Sequence, residues 1–400
     1  IQAQNESGKN FKIIEIHKKL PHDIIKYCKL GFDPLLFTSS KLKRYFSKNI
    51  TLVSINENLI DKIYKNKTKK TKPFFSLPKN IAGESHQSKI EKIKAFLKLN
   101  KASYLFVSAP ENVAWLLNIR GFDNPKSPIP NSRLIISKNG KLLLITKKDK
   151  IQKICKEKKI KKDQVIDFHE FKKFIDQLKG SNFIIDSQSC SVFAENVIKS
   201  KFMILDKQDP IYKLKSIKNS SEIKHMIDAH KKDGLALTKF IYWIKNINNR
   251  SITEVDAQNK LEKFRKMSND YLYPSFNTIA GTGSNGAIVH YRATKFNTKK
   301  IKKEDIFLCD SGGQYKYGTT DVTRTLCFYK PKQYIKDIFT KVLKGHIAVA
   351  LTNLKTQNTG KKIDIRARKF LKKDGLDYAH GTGHGVGFFL NVHEGPQSIS

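Results

Sequence analysis

At 400 residues, 39% of them apolar and 28% charged, the chain is long enough for two or three domains with cores of their own and too apolar to be disordered. No apolar run approaches the roughly 20 residues of a membrane-spanning helix. The 76 basic residues against 36 acidic ones leave a net charge of +40, which raises nucleic acid or another anionic surface as a partner.

A lysine-biased composition spread over solvated faces explains that charge better. Base readout leans on arginine, whereas the basic residues here are mostly lysines, scattered as in Lys65-Asn66-Lys67-Thr68-Lys69-Lys70 without repeating aromatic partners. Nucleic acid is therefore not expected. The five cysteines (Cys28, Cys155, Cys190, Cys309, Cys327) form no CxxC pair, so reduced thiols, an intracellular compartment and no structural zinc are expected. The first residue is Ile1 and no signal-peptide pattern follows, so the natural start is expected upstream.

Three regions separate by pattern. Residues 1–78 are lysine-rich and thin in apolar residues; they read as the remnant of a first domain closed by a linker, Lys65 to Pro78, punctuated by Pro73. In residues 79–208 helices and strands alternate, which predicts an α/β domain. Ile90, Ile93, Phe96 and Leu97 mark one helix face, and Tyr104–Val107 reads as a strand. Two apolar runs, Leu134–Ile136 and Leu142–Ile145, flank Asn139-Gly140, which predicts a hairpin closed by a type I′ turn. Val165–Ile166 and Phe183–Ile185 are further strands. From residue 209 on the pattern is α+β. Asn219 with Glu222 suggests a capping arrangement at the start of a long helix marked by Ile223, Met226, Ile227, Leu237, Ile241 and Ile244. A second helix is expected near Thr253, then glycine-rich turns and short strands.

Gly281-Thr282-Gly283-Ser284-Asn285-Gly286 fits GxGxxG. A dinucleotide site needs a helix after it, and the following Ala287-Ile288-Val289-His290-Tyr291 is strand-like, so the glycines read as a turn delivering a strand that carries His290. Further on, an apolar strand Ile306–Cys309 ends in Asp310, a turn-rich stretch with Gly312, Gly313 and Gly318 follows, and Asp321 opens a β-branched strand. This puts two carboxylates at adjacent strand ends, an arrangement that is unfavourable without a proton or cation between them and that suits hard divalent metals. Capping aspartates are the other reading of this pair alone. Three of the eleven histidines then fall within fourteen residues, His380, His384 and His393. His380 and His384 have the spacing of a helical zinc site, but alternating glycines rule out a stable helix, each costing about 1 kcal/mol against alanine. Extended backbone closely approaching a ligand fits better.

Together the segments AIVHY, DSGGQYKYGTTDVTRT, VLKGHIAVA (342–350) and GLDYAHGTGHGVGFFLNVHEGPQSIS (375–400) resemble the creatinase/aminopeptidase P family, the pita-bread metallopeptidases. Residues 58–75 and ENVAWLLNIRGFD (111–123) resemble its N-terminal domains, in the manner of the three-domain cytosolic type. The resemblance implies creatinase-like α/β domains in residues 1–78 and 79–208, followed by a C-terminally incomplete pita-bread catalytic domain in 209–400.

It also implies roles. Asp310, Asp321 and His384 match metal ligands for two divalent ions, usually manganese. Two further glutamate ligands are expected beyond Ser400, and Glu394 is not a substitute for them. His290 and His393 match histidines that bind the peptide beside the scissile bond, and His380 and His384 complete the substrate-binding set. The implied activity is release of an N-terminal residue preceding proline by metal-activated water. A prolidase and a non-catalytic pita-bread binding protein are the alternatives. A cytoplasmic homodimer acting on peptides with N-terminal Xaa-Pro, with no membrane partner, completes the expectation. The chain itself reads as a fragment truncated at both ends and inactive alone.

Overall fold

The computed structural model describes residue 4 and residues 7–16, 18–46, 49–55, 57–64, 72–247 and 251–400. Two compact units emerge, dividing between Lys215 and Ser216.

In the N-terminal unit a short crossover comes first: strand β1 (Cys28–Phe32), helix α1 (Ser39–Phe46) and strand β2 (Ile50–Ser54), with β1 and β2 parallel. Of the stretch read as a linker, 65–71 lies outside the described residues. From Lys72 onward the chain is tied down. Phe74 is fully buried, its amide donates to the Lys150 carbonyl, and β3 (Phe75–Ser76) pairs with β5 (Ile119–Arg120).

The α/β core is a six-stranded mixed sheet of β4 (Tyr104–Val107), β6 (Arg133–Ser137), β7 (Leu142–Ile145), β8 (Val165–Ile166), β9 (Asn182–Ile185) and β10 (Met203–Asp206). Their order is β10-β9-β4-β6-β7-β8, with β4, β9 and β10 parallel. Helices α2 (His86–Leu99), α3 (Pro110–Leu117), α4 (Phe171–Gln177) and α5 (Val192–Lys199) join the strands. Strands β6 and β7 form the expected hairpin around Asn139-Gly140, with a different turn. Only Gly140 has positive φ (+78°), and its amide closes onto the Ser137 carbonyl. The loop is therefore the three-residue kind, a type I turn followed by a left-handed residue, rather than type I′. The extra residue, Lys138, is what shifts the turn type.

The C-terminal unit follows the α+β expectation. Asn219 and Glu222 form a reciprocal capping box at the start of α6 (Ser220–Asn246), and Thr253 with Asp256 does the same for α7 (Glu254–Arg265). The periodic residues Ile223 and Ile227 stay half exposed. Leu237 and Ile244 of that set are buried as expected, and the stripe of α6 continues through Ala229, Asp233, Ala236 and Phe240. The apolar pattern of α6 spans more than one face, so periodicity alone could not choose the face turned inward.

Six strands complete the part that matters here: β11 (Tyr271–Pro274), β12 (Ile279–Thr282), β13 (Ile306–Ser311), β14 (Gly313–Tyr315), β15 (Gly318–Thr319) and β16 (Val322–Cys327). They form two antiparallel sheets, ordered β11-β14-β15 and β12-β13-β16. Leu237, Phe240 and Ile244 of α6 and Leu261 of α7 pack on Phe307 and Cys309 of β13. Each fully buried phenylalanine or leucine contributes roughly 1.5–3 kcal/mol. Helices α8 (Gln333–Ala350) and α9 (Gly360–Lys372) pack on one another, and β17 (Gly383–Gly385) pairs with β18 (Glu394–Ile399).

His86, on the first turn of α2, is buried, and its Nδ1 makes no hydrogen bond. Burial, then the Lys159 and Lys89 charges, push its pKa down to about 4. An unfolded chain holds this proton up to about pH 6.5. The unfolded state therefore binds more protons between pH 4 and 6.5, and the stability from neutral His86 is complete above that window and lost as pH falls through it. We expect His86→Leu to flatten the decline of the urea midpoint between pH 7 and 4.5. Trp115 fluorescence in a Trp243→Phe background is the measurement.

Candidate metal centre

Strand pleat aims the first two acidic groups. Along β13 burial alternates, with Phe307, Cys309 and Ser311 facing the core and Asp310 facing out. Asp310 lies opposite Thr323 on β16, and the Thr323 hydroxyl donates to Asp310 Oδ1 at 2.8 Å. Asp321 is two residues before Thr323, which returns it to the same face. The return is possible because Gly312 has no Cβ: one there would lie 1.9 Å from the Thr320 carbonyl oxygen.

The imidazoles arrive on β17. His384 stands opposite Ser398, and Gly385 opposite Glu394 across a bulge, so His393 lies beside His384. A Cβ at Gly385 would sit 2.6 Å from the Glu394 carbonyl oxygen. The backbone is extended, as the alternating glycines imply. The His384 and His393 rings meet edge to face with centroids 4.2 Å apart.

Asp321, His384 and His393 converge, with one ligand atom from each lying within 4.8 Å of the others. His384 Nε2 is 3.2 Å from Asp321 Oδ2, and its Nδ1 lies 2.8 Å from the Gly385 carbonyl. The carbonyl can only accept, so Nδ1 carries a proton; Nε2 is the free lone pair of the neutral ring, and in the protonated ring Nε2–H donates to Asp321. The hydrogen bond to Asp321 raises the pKa of His384, against burial and with help from the Gly385 carbonyl. Burial raises the pKa of Asp310, opposed by the Thr323 hydrogen bond and reinforced by the charge of Asp321. Burial lowers that of His393, with the His384 charge next.

Half-buried carboxylates that repel one another, beside two exposed imidazoles, fit a divalent cation. Asp310 lies outside the compact trio, yet its charge is felt alongside Asp321, His290 and His384.

His290 reaches the site by another route than the strand read from the sequence. Gly283–Ala287 is a short 3-10 helix, and a turn follows in which His290 has φ +58°. The turn closes through the Tyr291 amide on the Ile288 carbonyl. This geometry also disposes of the nucleotide reading: β12 is followed by a single 3-10 turn and pairs antiparallel with β13, so no βαβ unit exists there. His380 keeps different company. Its ring stacks on Tyr378 at 4.7 Å, and Arg368 donates to its carbonyl. Arg368 also holds Asp364, Asp377 and the Tyr378 carbonyl, clamping the strand approach to His384. Glu394 is engaged by Lys218.

Sequence reasoning missed the support beneath the carboxylates. Arg265, at the end of α7, and Asp233, mid-α6, are both fully buried and joined by two hydrogen bonds, Nε–Oδ1 at 2.7 Å and Nη2–Oδ2 at 3.2 Å. Arg265 Nη2 also donates to the Ser311 hydroxyl at 3.0 Å, and the Tyr315 hydroxyl donates to Asp233 at 2.8 Å. The available signal was a charge inside the apolar stripe Ala229, Ala236, Leu237 and Phe240.

The fold and the donor set together define a metallopeptidase-type domain. Residues 224–400 match the model of metallopeptidase family M24, and residues 65–222 that of the creatinase/prolidase N-terminal domain. The whole chain is 36% identical to Xaa-Pro aminopeptidase 1 of Dictyostelium discoideum, covering 68% of it, and 34% identical to the probable Xaa-Pro aminopeptidase P of Laccaria bicolor, covering 65%. It superposes on an X-prolyl aminopeptidase from Caenorhabditis elegans, described as a cytosolic enzyme with a di-nuclear active site. That TM-score is 0.83 at 29% identity, over 94% of this chain and 64% of that one. A prolidase from Pyrococcus furiosus shares the fold at TM-score 0.59 and 25% identity, over 77% of this chain and 86% of that one. The chain belongs to the pita-bread metallopeptidases of family M24, in their Xaa-Pro aminopeptidase branch. It spans about two thirds of the length of these curated relatives.

Removing one partner of a buried ion pair strands the other charge, at a cost of about 3–5 kcal/mol. Asp233→Ala is therefore expected to lower stability by that order, whereas the double replacement Asp233→Leu with Arg265→Met should cost much less. Urea unfolding followed at Trp243 is the check.

Proposed function

We propose that the whole protein is a metal-dependent aminopeptidase that removes an N-terminal residue preceding proline. The observation that carries this reading is the convergence of Asp321, His384 and His393 within 4.8 Å, with Asp310 charge-coupled to Asp321 and His384, in a chain of this family. Asp310, Asp321 and His384 would hold two divalent ions, manganese by family expectation. Bound there, the ions supply Lewis-acid polarisation of the peptide carbonyl and a lowered pKa for water.

The remaining work falls to side chains of the chain itself. Burial, followed by the His384 charge, lowers the pKa of His393 and so favours its neutral form. A neutral imidazole N–H donates to a carbonyl oxygen as negative charge develops on it. His290 faces the same peptide from its turn and steadies it for attack. His380 acts at a remove, through the Tyr378–Arg368 clamp that sets His384.

A cytoplasmic setting belongs to this reading, supported by the cysteines, all free. No helix among the described residues is long and apolar enough to cross a membrane. A homodimer is the family expectation for the assembly.

The experiment uses the whole protein loaded with manganese. Cleavage of an Arg-Pro-Pro type peptide is expected, with no cleavage when the second residue is alanine and loss of activity in chelator. Asp310→Asn should lower turnover about a thousand-fold, in keeping with several kcal/mol of metal-borne transition-state stabilisation. Unchanged turnover in that variant would sink the ligand assignment. Cleavage confined to Xaa-Pro dipeptides would move the protein to the prolidases.

A further inference from the structure

The loop that carries His290 runs from β12 to Lys299, and a single buried carboxylate fastens both of its ends. Glu254, the first residue of α7, is fully buried. Its Oε1 accepts from the Thr282 amide at 2.8 Å and from Asn285 Nδ2 at 3.0 Å. Its Oε2 accepts from the Tyr291 hydroxyl at 2.8 Å and from the Lys299 amide at 3.0 Å. Thr282 stands at the loop's entry, Lys299 at its exit, and Tyr291 beside His290. Asn285 Nδ2 also donates to the Tyr291 hydroxyl at 2.8 Å, which closes a ring of bonds around the carboxylate.

The arrangement exceeds what a helix start needs. Thr253 and Asp256 already cap α7 with a reciprocal box. A carboxylate taken wholly out of water is costly unless its lone pairs are filled, and here donors from four residues, Thr282, Asn285, Tyr291 and Lys299, fill them. His290 itself is exposed and sits at φ +58°, a left-handed conformation uncommon outside glycine, although histidine enters it more readily than most side chains. Its neighbour is Tyr291, whose buried ring packs with Ile279 and Ala293 and whose hydroxyl ends on Glu254.

We propose that Glu254 is a positioning residue for peptide cleavage: acting through Tyr291 and Asn285, it latches the loop so that His290 is held toward the site formed by Asp310, Asp321, His384 and His393. This rests on the reading above, in which His290 faces the peptide. The charge of His290 is felt at Asp310 and at His393, which places it within electrostatic reach of both. The candidate metal ligands lie on β13, just before β16 and on β17, outside the latched loop, so loosening the latch should disturb peptide placement and spare metal binding.

The test uses the manganese-loaded whole protein with Glu254→Gln and Tyr291→Phe, each alone and combined with His290→Ala. Three quantities are read: kcat and KM on an Xaa-Pro peptide, bound manganese per chain, and native-state trypsin cleavage at Arg292 and Lys295. Glu254→Gln is expected to lower kcat/KM by about ten- to a hundred-fold, the scale of misplacing a group by an ångström. Manganese content should be unchanged, and cleavage at Arg292 and Lys295 should speed up while other sites hold. Tyr291→Phe should act in the same direction and more weakly, and it keeps the test open should Glu254→Gln fail to fold. In the His290→Ala background either change should lower kcat/KM by less than about two-fold, because the latched group is gone. Equal losses with and without His290, or a loosened loop with unchanged kcat/KM, would overturn the proposal. If the unsubstituted protein cleaves no Xaa-Pro peptide, the functional reading fails and the proposal with it. The trypsin measurement tells the two failures apart, since it reads the latch without activity.

Discussion

The buried pair of Arg265 and Asp233 is the constraint on which the rest of the C-terminal unit depends. It joins α6 to α7 by two hydrogen bonds, and the same guanidinium reaches Ser311 while the same carboxylate takes the Tyr315 hydroxyl. Ser311 directly follows Asp310 and pairs with Val322, which directly follows Asp321. One charge pair therefore fixes the strand end from below while its neighbours present two carboxylates above. Buried ion pairs contribute little net stability, but breaking one is expensive, and that asymmetry makes such a pair suited to holding a register.

The open face of the same strands carries the opposite electrostatic situation. Beneath the strands, opposite charges are matched and every carboxylate oxygen of Asp233 is taken up. Above them, the charge of Asp321 adds to the cost of ionising Asp310, and His384 answers Asp321 alone directly. The contrast separates a structural charge cluster from one with capacity left for a cation. Thr323, Gly312 and Gly385 are the local devices that make it possible. Thr323 orients Asp310, and the two glycines let backbone pass where any side chain would collide with a carbonyl.

Around this centre single polar residues gather the loops. Arg368 gathers three acceptors of the segment that leads into His384, and Glu254 gathers both ends of the segment that carries His290. Hydrogen-bond satisfaction shapes both segments, inside the fold at Glu254, where Tyr291 also packs on Ile279 and Ala293, and near the surface at Arg368. The N-terminal unit is built differently, with a sheet whose strands bury branched side chains on both faces and helices chosen by their apolar stripe.

The sequence by itself determined most of the elements and singled out the candidate chemistry-bearing residues. Capping boxes at Asn219 and Thr253, the hairpin at Asn139-Gly140 and the extended glycine-histidine run are local effects, settled within a few residues, and local chemistry suffices to read them. The aspartates and histidines were legible as a set because their motifs lie on contiguous stretches. Tertiary structure decided what depends on residues distant in sequence: the inward face of α6, the latched turn rather than strand at His290, the convergence of Asp321, His384 and His393, and the hold of Arg368 on the His380 carbonyl. It alone disclosed Arg265, Asp233 and Glu254, whose roles come from partners tens of residues away. The physical reason is that a buried charge takes its meaning from the donors and acceptors that surround it, and those are assembled only when the chain folds.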